Sequence, residues 1–344
     1  MSPADGPAPS AAALVTAGLV GHADQVAVVR ESVSGLDRGH PQRALDLDVM
    51  GGLCVRLVPD RGLDVTAAWW DGIPLAWLSR VGEVRGRPTD APGEWIRAFG
   101  GGLVTTCGLQ NVGSPAEGHG QHGAFSSIPA SDLRTRREEV DGELELSVSG
   151  VIHESDALDT FLECRRTVAT RTGSAHLSVT DVVTNRGVVA VAAPMLYHVN
   201  LGAPVWSPGA RVEVEGRASI VPRDADAQAA LATSDIAPDP EPDGRERVFE
   251  HLFTDAETDN GGRRRLRVVN DVLRVAVTVA WDATSMPRLH QWVHPRTGVY
   301  VLGVEPANCS VQGRKLDRAE GRLPVLAPGE SRTTSLLVTA EHLA

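Results

Sequence analysis

The stretch Tyr300-Val-Leu-Gly-Val-Glu305-Pro-Ala-Asn308-Cys309 is an apolar run that ends in a carboxylate. A strand holds a side chain more rigidly than a loop can, so a carboxylate at its end is well placed to act as a base. The plainer alternative is a strand-end carboxylate sitting in water. A second stretch, Ala193-Pro-Met-Leu-Tyr197-His198-Val-Asn200-Leu-Gly202, sets a histidine inside an apolar run. An unperturbed imidazole titrates near ~6.5, which suits proton transfer at neutral pH. A satisfied core histidine is the commoner case. Between them, Glu305 and His198 offer one carboxylate and one imidazole for acid–base work.

Three further stretches could line a site. The segment 99–130 is dense in glycine, which lets backbone approach a ligand closely. It carries His119 and His122 but no GxxxxGK[ST] phosphate loop. No nearby carboxylate or third histidine completes a metal set with that pair, so a metal is not expected. His122, followed by Gly123 and close to Phe125, is better placed to face a pocket, and His119 reads as a surface residue. Leu57-Val-Pro-Asp60-Arg61-Gly62-Leu63-Asp64 puts Arg61 and Asp64 around a turn. They could form a local ion pair, or Arg61 could project its donor fork into a pocket. In His290-Gln291-Trp292-Val-His294, alternation sends His290 and Trp292 to one face and Gln291 to the other. Trp and Gln together suit a sugar, the ring packing on C–H groups and the amide binding hydroxyls, although a simple core Trp fits equally well. A nucleophile-based hydrolase is disfavoured, because there is no GxSxG elbow and no recognisable catalytic-cysteine context.

Strands must position these groups. The dominant hydrophobic period is two rather than 3.6. Leu273, Val275, Val277, Val279 and Trp281 alternate with other residues, and so do Leu45/Leu47/Val49, Leu53/Val55/Leu57 and Leu144/Leu146/Val148. Turn signals such as Arg171-Thr-Gly-Ser and Pro295-Arg-Thr-Gly separate the runs. No long amphipathic helix is evident. The pattern predicts an all-β chain, a large sandwich. Residues 1–20 are expected to be a disordered or irregular tail, and 21–344 a single domain with a loop excursion around 222–247.

The net charge of −11 argues against nucleic acid and anionic membranes as partners and is compatible with a neutral small molecule. Four scattered cysteines make a secreted disulfide framework an unlikely reading and suggest free thiols in a reducing compartment. With no basic n-region and no apolar run approaching ~18 residues, a signal peptide and a membrane span are not expected. A cytoplasmic location follows as the expectation, and a homodimer is compatible with the chain.

Taken in order, these pieces resemble the aldose 1-epimerase (galactose mutarotase-like) superfamily, in its uncharacterised aldose-epimerase-like branch. The resemblance rests on Arg61-Gly-Leu-Asp64, Gly101-Gly-Leu-Val-Thr-Thr-Cys-Gly-Leu109, His122-Gly with Ser127-Ile-Pro-Ala130, Tyr197-His-Val-Asn200-Leu-Gly, Gln291-Trp292 and Gly303-Val-Glu305-Pro-Ala-Asn308. It implies a β-supersandwich of two large, mostly antiparallel sheets with a sugar in a cleft on one of them. It also implies cofactor-free chemistry. Glu305 would take the proton from the anomeric O1–H while His198 protonates the ring oxygen, and His122 would steady the sugar. Arg61, Asp64, Gln291, Trp292 and Asn308 are the expected binding partners. The expected function is therefore aldose 1-epimerase (mutarotase) activity on a free sugar. Two alternatives stay open: an isomerase, epimerase or lyase acting on a keto-sugar or sugar acid, and a non-catalytic carbohydrate-binding protein.

Overall fold

The computed structural model describes residues 10–37, 40–83, 86, 91, 93–254, 258–259 and 261–344. The alternating runs become two large sheets whose strand ladders are all antiparallel. The larger has eleven strands. Its central order is Asp64–Trp70, Val104–Gly108, Met195–Leu201, Val301–Ala307, Arg288–His294 and Arg247–Phe253. The smaller has eight, with Arg263–Asn270, Val275–Asp282, Ser331–His342, Ser174–Asn185 and Phe161–Arg171 at its centre.

Parity decides what each strand contributes. Met195, Tyr197, Val199 and Leu201 point into the layer between the sheets, as do Leu302 and Val304. Leu196 and Ala307, of the opposite parity, pack into a separate apolar cluster with Trp95, Phe99, Cys107 and Cys309. The larger sheet is therefore buried on both faces at its centre, and this explains why the Val301–Ala307 strand is buried at every position.

One polar web crosses the inner layer. Arg166, on the smaller sheet, is 1% exposed and donates from Nε and Nη2 to Asp181 at 2.9 and 2.7 Å. It also reaches the larger sheet, donating to Asp64 Oδ1 at 2.8 Å and to Thr106 Oγ1 at 2.8 Å. Tyr197 donates its hydroxyl to Asp181 at 2.7 Å. A buried guanidinium of this kind is tolerable only when its charge is matched and its donors are occupied.

Two expectations change. Ala11–Thr16, inside the expected irregular tail, form a helix capped by Ser10 with Ala11 and Ala12 buried; residues 1–9 lie outside the described residues. The 222–247 excursion is folded. It contains the helix Ala225–Ala230, capped by Asp224, and a following 3-10 turn, Leu231–Thr233. None of the four cysteines forms a disulfide. No helix among the described residues is long and apolar enough to cross a membrane.

Candidate active site

The ladder between Met195–Leu201 and Val301–Ala307 pairs Leu196 with Ala307 and Val199 with Val304, which sets His198 opposite Glu305. The next ladder pairs Glu305 with His290. Side chains directly opposite one another share a face, so three titratable groups stand in a row on the outer face of the sheet. His198 Nε2 and Glu305 Oε1 are 3.2 Å apart, each side chain 5% exposed. Gly303 lies beneath them: a Cβ there would meet Glu305 Oε1 at 2.8 Å and His198 Cε1 at 3.1 Å. The pair can close only because position 303 has no side chain.

Burial governs the charge of the pair. It pushes Glu305 up to about 8, with the Glu246 carboxylate adding to the rise and Arg223 opposing it. It pushes His198 down to about 3, with His122 contributing in the same direction. Both shifts favour the state in which Glu305 carries the proton and His198 Nε2 accepts it. This resting state is the tautomer of the carboxylate–imidazolium pair expected from sequence.

The pair forms the floor of a cleft of ≈ 250 Å³. Aromatic rings wall it: Phe99 lies 5.1 Å and Trp292 5.2 Å from the His198 ring, centre to centre. Trp95 stacks on Phe99 at 4.4 Å and lies against His122, also at 4.4 Å. His122 lines the cleft with part of its surface open. It is held at φ 57 by backbone bonds to Gly113 and Gly108, its Nδ1 accepts from Gly113 N at 3.4 Å, and burial lowers it to about 4. With Nδ1 accepting, the ring proton sits on Nε2, and His122 is a neutral donor.

The folded excursion forms the remaining side. Arg223 and Glu246, at its two ends, both line the cleft. Arg223 Nη2 donates to Glu246 Oε1 at 2.7 Å, and Trp292 Nε1 donates to Glu246 Oε2 at 3.0 Å. Arg223 also holds Asp224 Oδ2 through Nε at 2.9 Å.

Of the residues expected at the site, His198, Glu305, His122 and Trp292 come together; the other four do not line this cleft. Asp64 is 2% exposed and spent on Arg166, Thr106 and Ser126. Gln291 is fully buried between His251 and the Ser234 carbonyl, on the opposite parity from Trp292. Asn308 continues a ladder, its Oδ1 accepting from Met195 N at 2.7 Å. Arg61 is buried behind the Trp95 wall, where it donates to the Ala98 carbonyl at 3.2 Å and buttresses the helix Glu94–Ala98. Trp95, Phe99, Arg223 and Glu246 were missed. They sit in a short helix, its C-terminal cap and the ends of an excursion, where no period marks the inward face. The one available signal was the aromatic pair Trp95 and Phe99, four residues apart just before the glycine-rich segment. Among the described residues no group of three or more His, Cys, Asp or Glu could hold a metal ion.

Residues 39–340 match the family described as "Domain of unknown function (DUF4432)". The chain belongs to the DUF4432 family. This DUF4432 chain is also similar to a solved structure from Klebsiella pneumoniae described as a "putative aldose 1-epimerase", with 25% identity, a TM-score of 0.84, and 91% of this chain and 83% of that one covered. It shares its fold with a galactose mutarotase-like protein from Clostridium acetobutylicum at 14% identity and a TM-score of 0.63, covering 93% and 100% of the two chains. A galactose 1-epimerase from Lactobacillus acidophilus is similar at 11% identity and a TM-score of 0.60, covering 92% and 100%. Comparison with curated proteins gives no match. The DUF4432 chain thus has the galactose mutarotase-like fold, with two large antiparallel sheets.

Proposed function

We propose that this DUF4432 protein is an aldose 1-epimerase that interconverts the anomers of a free sugar through Glu305 and His198. The observation that carries the reading is the contact between the two groups, 3.2 Å apart on the cleft floor. Opening a cyclic sugar removes a proton from O1 and adds one to O5, and both oxygens are bonded to C1. A base and an acid that serve two oxygens of one carbon must stand side by side. This pair does.

Burial sets the order of transfer. His198 takes the O1 proton and Glu305 gives its own to O5; the C1–O5 bond breaks and C1=O1 forms. The C1–C2 bond turns. On closure O5 returns a proton to Glu305, His198 returns one to O1, and the pair is reset with no net proton change. His122 Nε2–H is placed to donate to a hydroxyl, and the faces of Trp95, Phe99 and Trp292 suit the C–H side of a sugar ring. Each positioned proton transfer contributes typically ~10²–10⁴ in rate, and the uncatalysed reaction is already measurable in water.

The test is NMR anomer exchange over hexoses, pentoses, 6-deoxy sugars and uronates, with wild type and Glu305→Gln. Wild type should accelerate exchange of at least one sugar, and the variant should lose at least ~10² of that acceleration while keeping its circular dichroism spectrum. Undiminished exchange by Glu305→Gln removes the pair from the mechanism. No acceleration of any sugar by wild type removes the activity.

A further inference from the structure

The Arg223–Glu246–Asp224 cluster at the cleft's side is not needed for proton transfer, yet it is built with care. Its backbone anchors are strands: Arg223 N donates to Val248 O at 2.9 Å. Its side-chain anchor is an aromatic wall, through Trp292 Nε1 and Glu246. The positions are therefore fixed from two directions. Resting on the reading of the cleft as a sugar site, we infer that this cluster binds a pair of adjacent hydroxyls and restricts the protein to uncharged sugars, excluding uronates and sugar phosphates.

The argument begins with donor geometry. A guanidinium recognises a carboxylate or phosphate best when a two-donor edge is vacant. In Arg223 both two-donor edges include or adjoin Nη2, and Nη2 is held by Glu246 and also lies 2.8 Å from Asp224 Oδ2. Nε is likewise held by Asp224. Among the described residues Nη1 has no hydrogen bond, so Arg223 offers a substrate a one-sided donor rather than a fork. Beside it, Glu246 accepts one bond at each oxygen and keeps further lone pairs. A donor next to an acceptor matches two neighbouring hydroxyls, one accepting from Arg223 and one donating to Glu246.

Charge gives the selection. Arg223 is paired with Glu246 on the cleft and with Asp224 behind it, so one guanidinium is shared between two carboxylates and the cluster is net negative. The other titratable groups on the cleft do not offset it: burial leaves His122 and His198 neutral and keeps the proton on Glu305 at neutral pH. A sugar carboxylate or phosphate in this cleft would meet the Glu246 charge and only the single Nη1 donor of a guanidinium already matched by two carboxylates, which costs affinity steeply.

The experiment measures binding rather than turnover, by titration calorimetry or ligand-observed NMR at low salt. It uses matched pairs: galactose with galacturonate, glucose with glucuronate, mannose with mannuronate. Wild type should bind the neutral member of at least one pair ~10-fold or more tightly than its uronate, the size expected for one unfavourable near charge. Glu246→Gln keeps the acceptor for Trp292 but removes the charge and releases Arg223, so the ratio should fall towards unity or reverse. Asp224→Asn, which keeps a helix-capping side chain, should move the ratio the same way if the first variant misfolds. Equal or tighter uronate binding by wild type, or a ratio unmoved in both variants, overturns the inference. A neutral-sugar preference without anomer exchange of any sugar leaves it standing and overturns the proposed activity. No binding of any member overturns both.

Discussion

At the scale of the residue, the proposed working unit is a single proton shared by Glu305 and His198. Burial holds Glu305 protonated up to about 8 and keeps His198 unprotonated down to about 3. The singly protonated pair therefore spans the neutral range, and the two macroscopic pKa values belong to the pair. With one proton required on the pair, kcat/KM for anomer exchange should be level from weakly acid to neutral pH and fall as pH rises through about 8. A pH–rate series checks this; activity that climbs through the same region would mean that the ionised carboxylate is the working form. Gly303 makes a second prediction. In Gly303→Ala the new methyl would press on Glu305 Oε1 and His198 Cε1. The expected result is a fall in kcat of about tenfold or more, because small misplacements of reacting groups are costly, with a smaller loss of thermal stability as Trp292 Cβ, which the methyl would meet at 3.1 Å, gives way. Steady-state kinetics beside a melting curve separates that outcome from simple unfolding.

At the scale of the element, strands aim the chemistry and irregular segments enclose it. The aim was legible: alternation in the sequence sends His290 and Trp292 one way and Gln291 the other, and the sheet keeps that parity. Glu305 and His198 could be placed on buried strands because each sits in its own apolar run. Asp64, Asn308 and Arg61 do not line the cleft, because nearness in sequence to a recognisable motif does not reveal which face a side chain takes. Asp64 faces the inner layer, where Arg166 needs it. Replacing Asp64 by Asn leaves the buried guanidinium half compensated, and destabilisation of ~3–5 kcal/mol is expected by urea denaturation. The sugar KM of the protein that remains folded should be unchanged. A shifted KM with unaltered stability would return Asp64 to the binding site. Trp95, Phe99, Arg223 and Glu246 could not be found by period at all, since a five-residue helix or a loop end carries too few positions to show one.

At the scale of the molecule, keeping a carboxyl on a dry cleft floor has a cost that depends on pH. A folded-state pKa raised from 4.5 to about 8 means that the stability carried by the protonated form is complete below the unfolded value and is lost as pH rises through about 8. Glutamine has no proton to lose. Glu305→Gln should therefore melt at nearly the wild-type temperature at about pH 5 and increasingly above it towards about pH 9. The lowered His122 acts in the opposite direction at acid pH, but it is common to both proteins and cancels in the difference. Calorimetric melting temperatures across that interval give the answer, and a gap that does not widen would show Glu305 to be solvated rather than buried. The fold class was readable because two-residue periodicity needs only local sequence. The web of Arg166, Asp64, Asp181 and Tyr197 was not, because its members meet only once the sheets are stacked.

The alignment of His198 opposite Glu305 has a consequence for how such a protein can change. The two side chains meet because a single hydrogen-bond ladder counts residues along both strands. Adding or deleting one residue within either strand would turn every later side chain to the other face, separating acid from base and exposing the inner layer at once. Substitution is open to these strands, but change of length is not. Room for change of length lies in the segments that enclose the cleft, 93–103, 109–125 and 223–246, which also decide what fits inside. A library meant to retarget this protein should hold the strands at constant length and vary those segments. The chemistry is then inherited intact by every member, and only the choice of ligand is left to selection.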